Sequence, residues 1–150
     1  MKRIFIYYSL SGNGDSVANY LKNKKIDIRK VDIIKKDKLS NNMFFKILTG
    51  GFKAVIGYKD KLLEFDSNIE KYDEIIIGSP IWNSRLSSPI NSVLDILKLK
   101  DKKITFILYS GSGELNKATK KIMKEYPLAR IVNLKEPIKN SNEFKKLENI

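Results

Sequence analysis

The chain has 150 residues, of which 42% are hydrophobic and 31% charged, the balance of a soluble domain large enough for a real core. It contains no Cys and no His, which excludes disulfides, thiolate chemistry, histidine acid/base catalysis and most transition-metal sites. Lys and Arg total 29 against 17 Asp and Glu, a formal charge of +12 that can mean nucleic acid, acidic membranes or an acidic protein partner, or only a compositional bias toward Lys, Ile and Asn. Lys far outnumbers Arg, which argues against sequence-specific nucleic-acid contacts, so nucleic acid is not an expected partner. No apolar run is long enough to span a membrane. Met1 is followed by two basic residues and an apolar run too short for a signal peptide. A cytoplasmic monomer of one domain, covering residues 1–150, is the expectation.

Residues 2–8 are apolar and rich in Ile and Tyr, the pattern of a buried central strand. Residues 15–25 then put Val17, Ala18 and Leu21 on one face, a helical period. Residues 26–34 alternate through Ile26, Ile28, Val31 and Ile33, a second and more exposed strand. Residues 35–72 are the least regular, with Asn41 or Asn42 as a cap for a helix holding Met43, Phe44, Ile47 and Leu48, and Gly50-Gly51 as its stop. Residues 72–78 form a third strand that Pro80 should end. Ser88-Pro89 predicts a helix start, serine as cap and proline at the first helical position. Residues 103–109 are a fourth strand. Leu115, Ala118, Ile122 and Met123 mark the apolar face of a helix ending before Pro127. Residues 129–134 are a fifth strand, and Asn140 with Glu143 predicts a reciprocal cap for a last helix holding Phe144 and Leu147.

Strand and helix thus alternate five times. The expected fold is α/β: a three-layer α-β-α sandwich around a five-stranded parallel sheet of order 2-1-3-4-5. Ligands bind such sheets at the carboxyl ends of the strands. Three of those ends carry unusual loops. The first reads Ser9-Leu10-Ser11-Gly12-Asn13-Gly14-Asp15-Ser16 and contains no Lys or Arg. Its glycines let backbone amides approach a ligand, the Leu10 amide among them, and the hydroxyls of Ser9, Ser11 and Ser16 add donors. An amide nest needs no cation to hold phosphate. The second loop, Ser79-Pro80-Ile81-Trp82-Asn83, presents the single Trp where it can stack on a flat ring. The third, Ser110-Gly111-Ser112-Gly113, is small enough for backbone contact with a planar ligand. Phosphate cradle, aromatic platform and backbone slot together describe a site for a phosphorylated planar cofactor. No catalytic side chain and no metal ligand is expected.

Over residues 3–134 these features resemble the flavodoxin family. Ser9, Ser11, Gly12, Asn13 and Ala18 stand where that family's first loop has matching residues, while Gly14 replaces its final Thr and Asp15 follows. Gly78-Ser79-Pro80-Ile81-Trp82 is similar to its second flavin loop, and residues 110–113 to its third. Residues 52–63 resemble a feature of one subgroup. The resemblance implies FMN as cofactor and one- or two-electron transfer between redox proteins, with Asn83 or Ser84 as a contact to the flavin ring. Flavodoxins are acidic and this chain is basic, so acidic redox partners are expected. The alternatives are an FMN-dependent NAD(P)H:quinone or flavin oxidoreductase, and a cofactor-free domain that binds a partner.

Overall fold

The structure, a computed structural model, describes residues 1–33, 62–113 and 115–150. The helix expected over residues 43–48, the Gly50-Gly51 stop and most of the 52–63 feature lie outside these residues. The described elements are β1 (Arg3–Tyr7), α1 (Asn13–Lys22), β2 (Asp27–Lys30), β3 (Glu74–Trp82), β4 (Arg85–Leu86), α2 (Ser88–Ile96), β5 (Lys103–Ser110), α3 (Asn116–Glu125), β6 (Arg130–Lys135) and a 3-10 helix (Ser141–Leu147). Five strands lie parallel in the order β2-β1-β3-β5-β6, the expected topology, and the two-residue β4 pairs antiparallel with β3.

Alternation along the strands divides the core in two. Ile4, Ile6, Ile75, Ile77, Phe106 and Leu108 face α2 and α3, joined by Ile90, Val93, Ala118 and Ile122. Phe5, Tyr7, Ile76, Ile107 and Tyr109 face α1, joined by Val17, Leu21, Leu134 and Leu147. Central strands buried on both faces explain the nearly continuous apolar runs in the sequence.

Several boundaries differ from the sequence expectation for identifiable reasons. Pro80 does not end β3, which runs on to Trp82. The Gly78 carbonyl accepts the Tyr8 N–H, so it points toward β1. Backbone polar groups alternate sides along a strand, so the N–H that Pro80 lacks would also face that side. There β1 has already stopped at Tyr7, and no ladder bond is lost. The N-cap position of α2 falls one residue early, at Ser87, which makes no side-chain capping bond, with Pro89 just inside. The Ser87 hydroxyl meets Ser79 Oγ at 3.1 Å, and Ser79 Oγ accepts the Ser87 N–H at 3.0 Å. Met123 is 46% exposed and does not join the apolar face of α3. The last helix is 3-10, and no side chain caps it. Glu143 instead accepts the Lys135 N–H and pairs with Lys146.

Four tyrosines make the fold sensitive to alkali. Burial raises the Tyr109 phenol well above its ordinary value, and burial with Glu125 beside it pushes Tyr126 up to about 12. Tyr7 and Tyr72 are also raised, mainly by burial and then by Asp15 and Asp27 respectively. The folded state therefore favours neutral phenols. That stability is complete below the unfolded value near pH 10 and is lost as pH climbs toward the folded values. The urea midpoint should fall steeply between about pH 10 and 12, and Tyr126→Phe should flatten part of that fall.

Candidate cofactor site

Strands β1, β3 and β5 are neighbours at the centre of the sheet, so their carboxyl-end loops meet at one edge. The first and second loops touch through Tyr8 and Trp82, whose rings are edge-on with centroids 6.2 Å apart. Tyr109, next to the end of β5, donates its hydroxyl to the Tyr8 carbonyl at the start of the first loop. Sequence reasoning did not single out Tyr109, because a tyrosine near the end of an apolar strand reads as core.

Gly12 caps α1 with φ 86°, and a Cβ there would lie 2.8 Å from Ile138 Cδ1. The backbone requires glycine, whereas the Ile138 methyl, at the end of an exposed side chain, could swing aside. Asn13 is a brace: its Nδ2 donates to Ser11 Oγ at 3.2 Å, and its Oδ1 accepts the Ile138 N–H at 3.2 Å. Ser9 Oγ accepts the Asp15 N–H at 3.3 Å, and the Ser16 hydroxyl donates to the Asn13 carbonyl at 2.7 Å. Two of the three loop hydroxyls thus hold the loop together, while Ser11 is exposed and its own proton is uncommitted. Among the described residues, the N–H groups of Leu10, Ser11, Gly12, Asn13 and Gly14 meet no acceptor. A run of unpaired amides at the start of a helix is an anion site.

Asp15 follows this cradle, yet its charge is compensated. Its Oδ1 accepts the Tyr7 hydroxyl at 2.9 Å and pairs with Lys30 Nζ at 2.8 Å. Burial opposes ionisation, but hydrogen bonds from Lys30, Ser9 and Tyr7 outweigh it and hold the carboxyl below its usual value. Ionised Asp15 at the third position of α1 also suits the helix dipole. We expect Lys30→Met to expose this charge to a bound phosphate and weaken FMN binding roughly two- to five-fold. Adding Asp15→Asn should restore the affinity, as read by fluorescence titration. Equal losses in the single and double variants would show that Lys30 acts some other way.

The second loop is a hairpin. Asn83 and Ser84 have φ of 51° and 58°, the two left-handed residues of a type I′ turn between the paired Trp82 and Arg85. Trp82 is half-buried and Ile81 partly so, while Asn83 stands exposed at the tip. Ser79 and Pro80 are buried, and the Ser79 hydroxyl is spent on Ser87 and the Pro80 carbonyl. In the third loop Ser110 Oγ accepts the Gly113 N–H at 3.0 Å, while a Cβ on Gly111 would meet nothing and Ser112 is exposed. Among the described residues, a surface cleft of about 530 Å³ lies between α1 and β2 against Tyr7, Asn19, Lys22 and Lys25, away from the three loops.

The donors fit FMN: free amides for a phosphate, a compensated carboxylate beside them and an indole at the rim. Solved structures of the same fold include a protein from Bacteroides eggerthii provisionally described as a flavoprotein, with TM-score 0.68, 18% identity and 99% and 97% of the two chains covered. A flavoprotein in complex with FMN from Lactobacillus acidophilus matches at TM-score 0.61 and 17% identity, covering 94% of this chain and 97% of that one. An FMN-dependent NADH-azoreductase from Bacillus anthracis matches at 0.54 and 11%, covering 99% and 97%. No curated protein matches the chain. The fold is flavodoxin-like, as the motifs imply. The family model that matches, over residues 1–140, is a different one from the flavodoxins, and by it the chain belongs to the NADPH-dependent FMN reductase family.

Proposed function

We propose that this flavoprotein is an FMN-dependent oxidoreductase that takes electrons from NAD(P)H and passes them to a second substrate. The family match over residues 1–140 carries the reading and favours it over the electron carrier that the loop motifs imply. Two structural neighbours that contain FMN support the cofactor, and one of them is an NADH-dependent enzyme. Bound FMN supplies the redox chemistry. The residues of this chain bind and orient it: amides of residues 10–14 and the Ser11 hydroxyl take the phosphate, Trp82 and Asn83 border the ring, and residues 110–113 line its other side. No side-chain acid or base is required, which suits a chain without His or Cys.

The protein should purify yellow and release FMN on denaturation. It should then consume NADPH steadily with a small quinone and no added reductase. Flavin binding without that consumption would return the reading to an electron carrier, and colourless protein that ignores added FMN would end both. Ser11→Ala should weaken FMN by about 0.5–1.5 kcal/mol, the net contribution of one hydrogen bond. Trp82→Ala should cost a similar amount through lost stacking and change the flavin fluorescence. Ser11→Ala should leave the melting temperature within about 2 °C of the parent, since surface substitutions shift stability little.

A further inference from the structure

Helix α3 carries Lys117, Lys120, Lys121 and Lys124 among its ten residues, all exposed, with Glu125 as its acidic residue. Spacings of three and four gather these lysines on one side, away from the buried Ala118 and Ile122. Like charges at such spacings destabilise a helix, and Lys117 in the first turn also opposes the helix dipole. Among the described residues, none of the four lysines, nor Arg85, pairs with a carboxylate. The fold gains nothing from this concentration of charge.

Its location gives it a use. Helix α3 starts just past the third loop, and Lys121 Nζ donates to the Ser84 carbonyl at 3.3 Å. Ser84 belongs to the hairpin that carries Trp82, so the stripe begins at the rim of the cofactor mouth. From Lys117 to Lys124 it runs about 10 Å along the helix, longer than one phosphate group. Met123, 46% exposed, adds an apolar contact beside it. Length, charge and an apolar patch fit the surface of a protein better than a small anion. Lysines without arginine on this helix suit a protein carboxylate face better than base recognition in nucleic acid.

We infer that α3, with Arg85, is the docking face for an acidic protein that accepts electrons from the flavin. The inference rests on the proposed FMN oxidoreductase and names its second substrate as a class. The reaction balances as NADPH plus two molecules of an oxidised one-electron acceptor giving NADP+, one proton and two reduced acceptors, with FMN unchanged overall.

The test uses two haem proteins of opposite charge, acidic cytochrome b5 and basic cytochrome c, and follows their NADPH-supported reduction. At low ionic strength cytochrome b5 should react about tenfold faster than cytochrome c, and 300 mM salt should remove about tenfold of its rate. The Lys117→Gln/Lys120→Gln/Lys124→Gln variant should show the high-salt rate at low salt, with unchanged turnover of the neutral quinone menadione. Equal rates for the two cytochromes, or a variant as fast as the parent, would overturn the docking face. So would double-stranded DNA or phosphatidylserine vesicles binding α3 more tightly than cytochrome b5 at 150 mM salt. Absence of menadione turnover strikes the proposed function alone. The docking face is then judged by salt-sensitive binding of cytochrome b5 to parent and variant, which needs no flavin.

Discussion

A threonine at position 14, the residue that the flavodoxin loop has there, should loosen FMN rather than tighten it. A Cβ on Gly14 would stand 2.5 Å from Tyr109 Oη, 2.8 Å from Tyr7 Cδ2 and 3.0 Å from Ser9 Cβ. None of the three can step aside cheaply. Tyr109 is buried and bonded to the Tyr8 carbonyl, Tyr7 is stacked on Phe5 with centroids 5.0 Å apart, and Ser9 holds the Asp15 amide. Forcing a side chain into such a place costs about 1–3 kcal/mol, or several degrees of melting temperature in a chain of this size. The atoms displaced are those that start the cradle, so FMN affinity should fall about tenfold or more, since one hydrogen-bond array misplaced by an ångström loses most of its worth. Tyr109→Phe in the same chain removes the nearest oxygen and should return part of the affinity. Tighter FMN binding by Gly14→Thr at unchanged stability would refute this account. The departure from the flavodoxin pattern at 14 is then a packing consequence of Tyr109.

Gly78→Val should be the more damaging change to the fold. Its Cβ would fall 2.4 Å and 2.6 Å from two ring carbons of Phe5, and 2.7 Å from Tyr7 Cβ. Phe5 is fully buried in the central sheet beneath α1, and Gly78 is paired on both sides, with Tyr7 and with Ile107. The ring has nowhere to go without moving a strand. The loss should be about 3 kcal/mol, at the upper end for overpacking, measured as the shift in urea midpoint at constant slope. Phe5→Leu should recover part of it in the double variant. A Gly78→Val protein as stable as the parent would mean that the sheet yields more readily than close packing allows. Gly78 opens a motif that reads as a flavin loop, yet its own requirement comes from beneath the sheet.

The sequence was most legible where one local cause sufficed. Short apolar runs marked β1, β3, β5 and β6, and their alternation with helices implied the parallel order that the structure has. The Gly- and Ser-rich stretches stood at the correct ends of the correct strands. Features that depend on distant residues stayed hidden. Pro80 sits within a strand because β1 stops one register position too soon to need its N–H. Asn83-Ser84 forms a two-residue turn without the glycine that usually announces one. Ser87 rather than Ser88 stands at the N-cap of α2, and its hydroxyl turns to Ser79, eight residues earlier, rather than to the helix. The choice between flavodoxin and FMN reductase was illegible in the loops for a different reason: both readings assign FMN to the same three loops, so the loop residues do not separate them.

The bond from the Ile138 amide to Asn13 joins residues 125 apart in the sequence. The turn proposed to hold the phosphate is therefore completed by a segment synthesised after all three loop motifs. A nascent polypeptide that has already emerged with every glycine of its three motifs still lacks the latch, together with the Tyr20–Phe144 stack and the grip of Lys24 on the Leu147 and Glu148 carbonyls. A product terminated between residues 113 and 138 would then be left colourless even with its recognisable fingerprints intact.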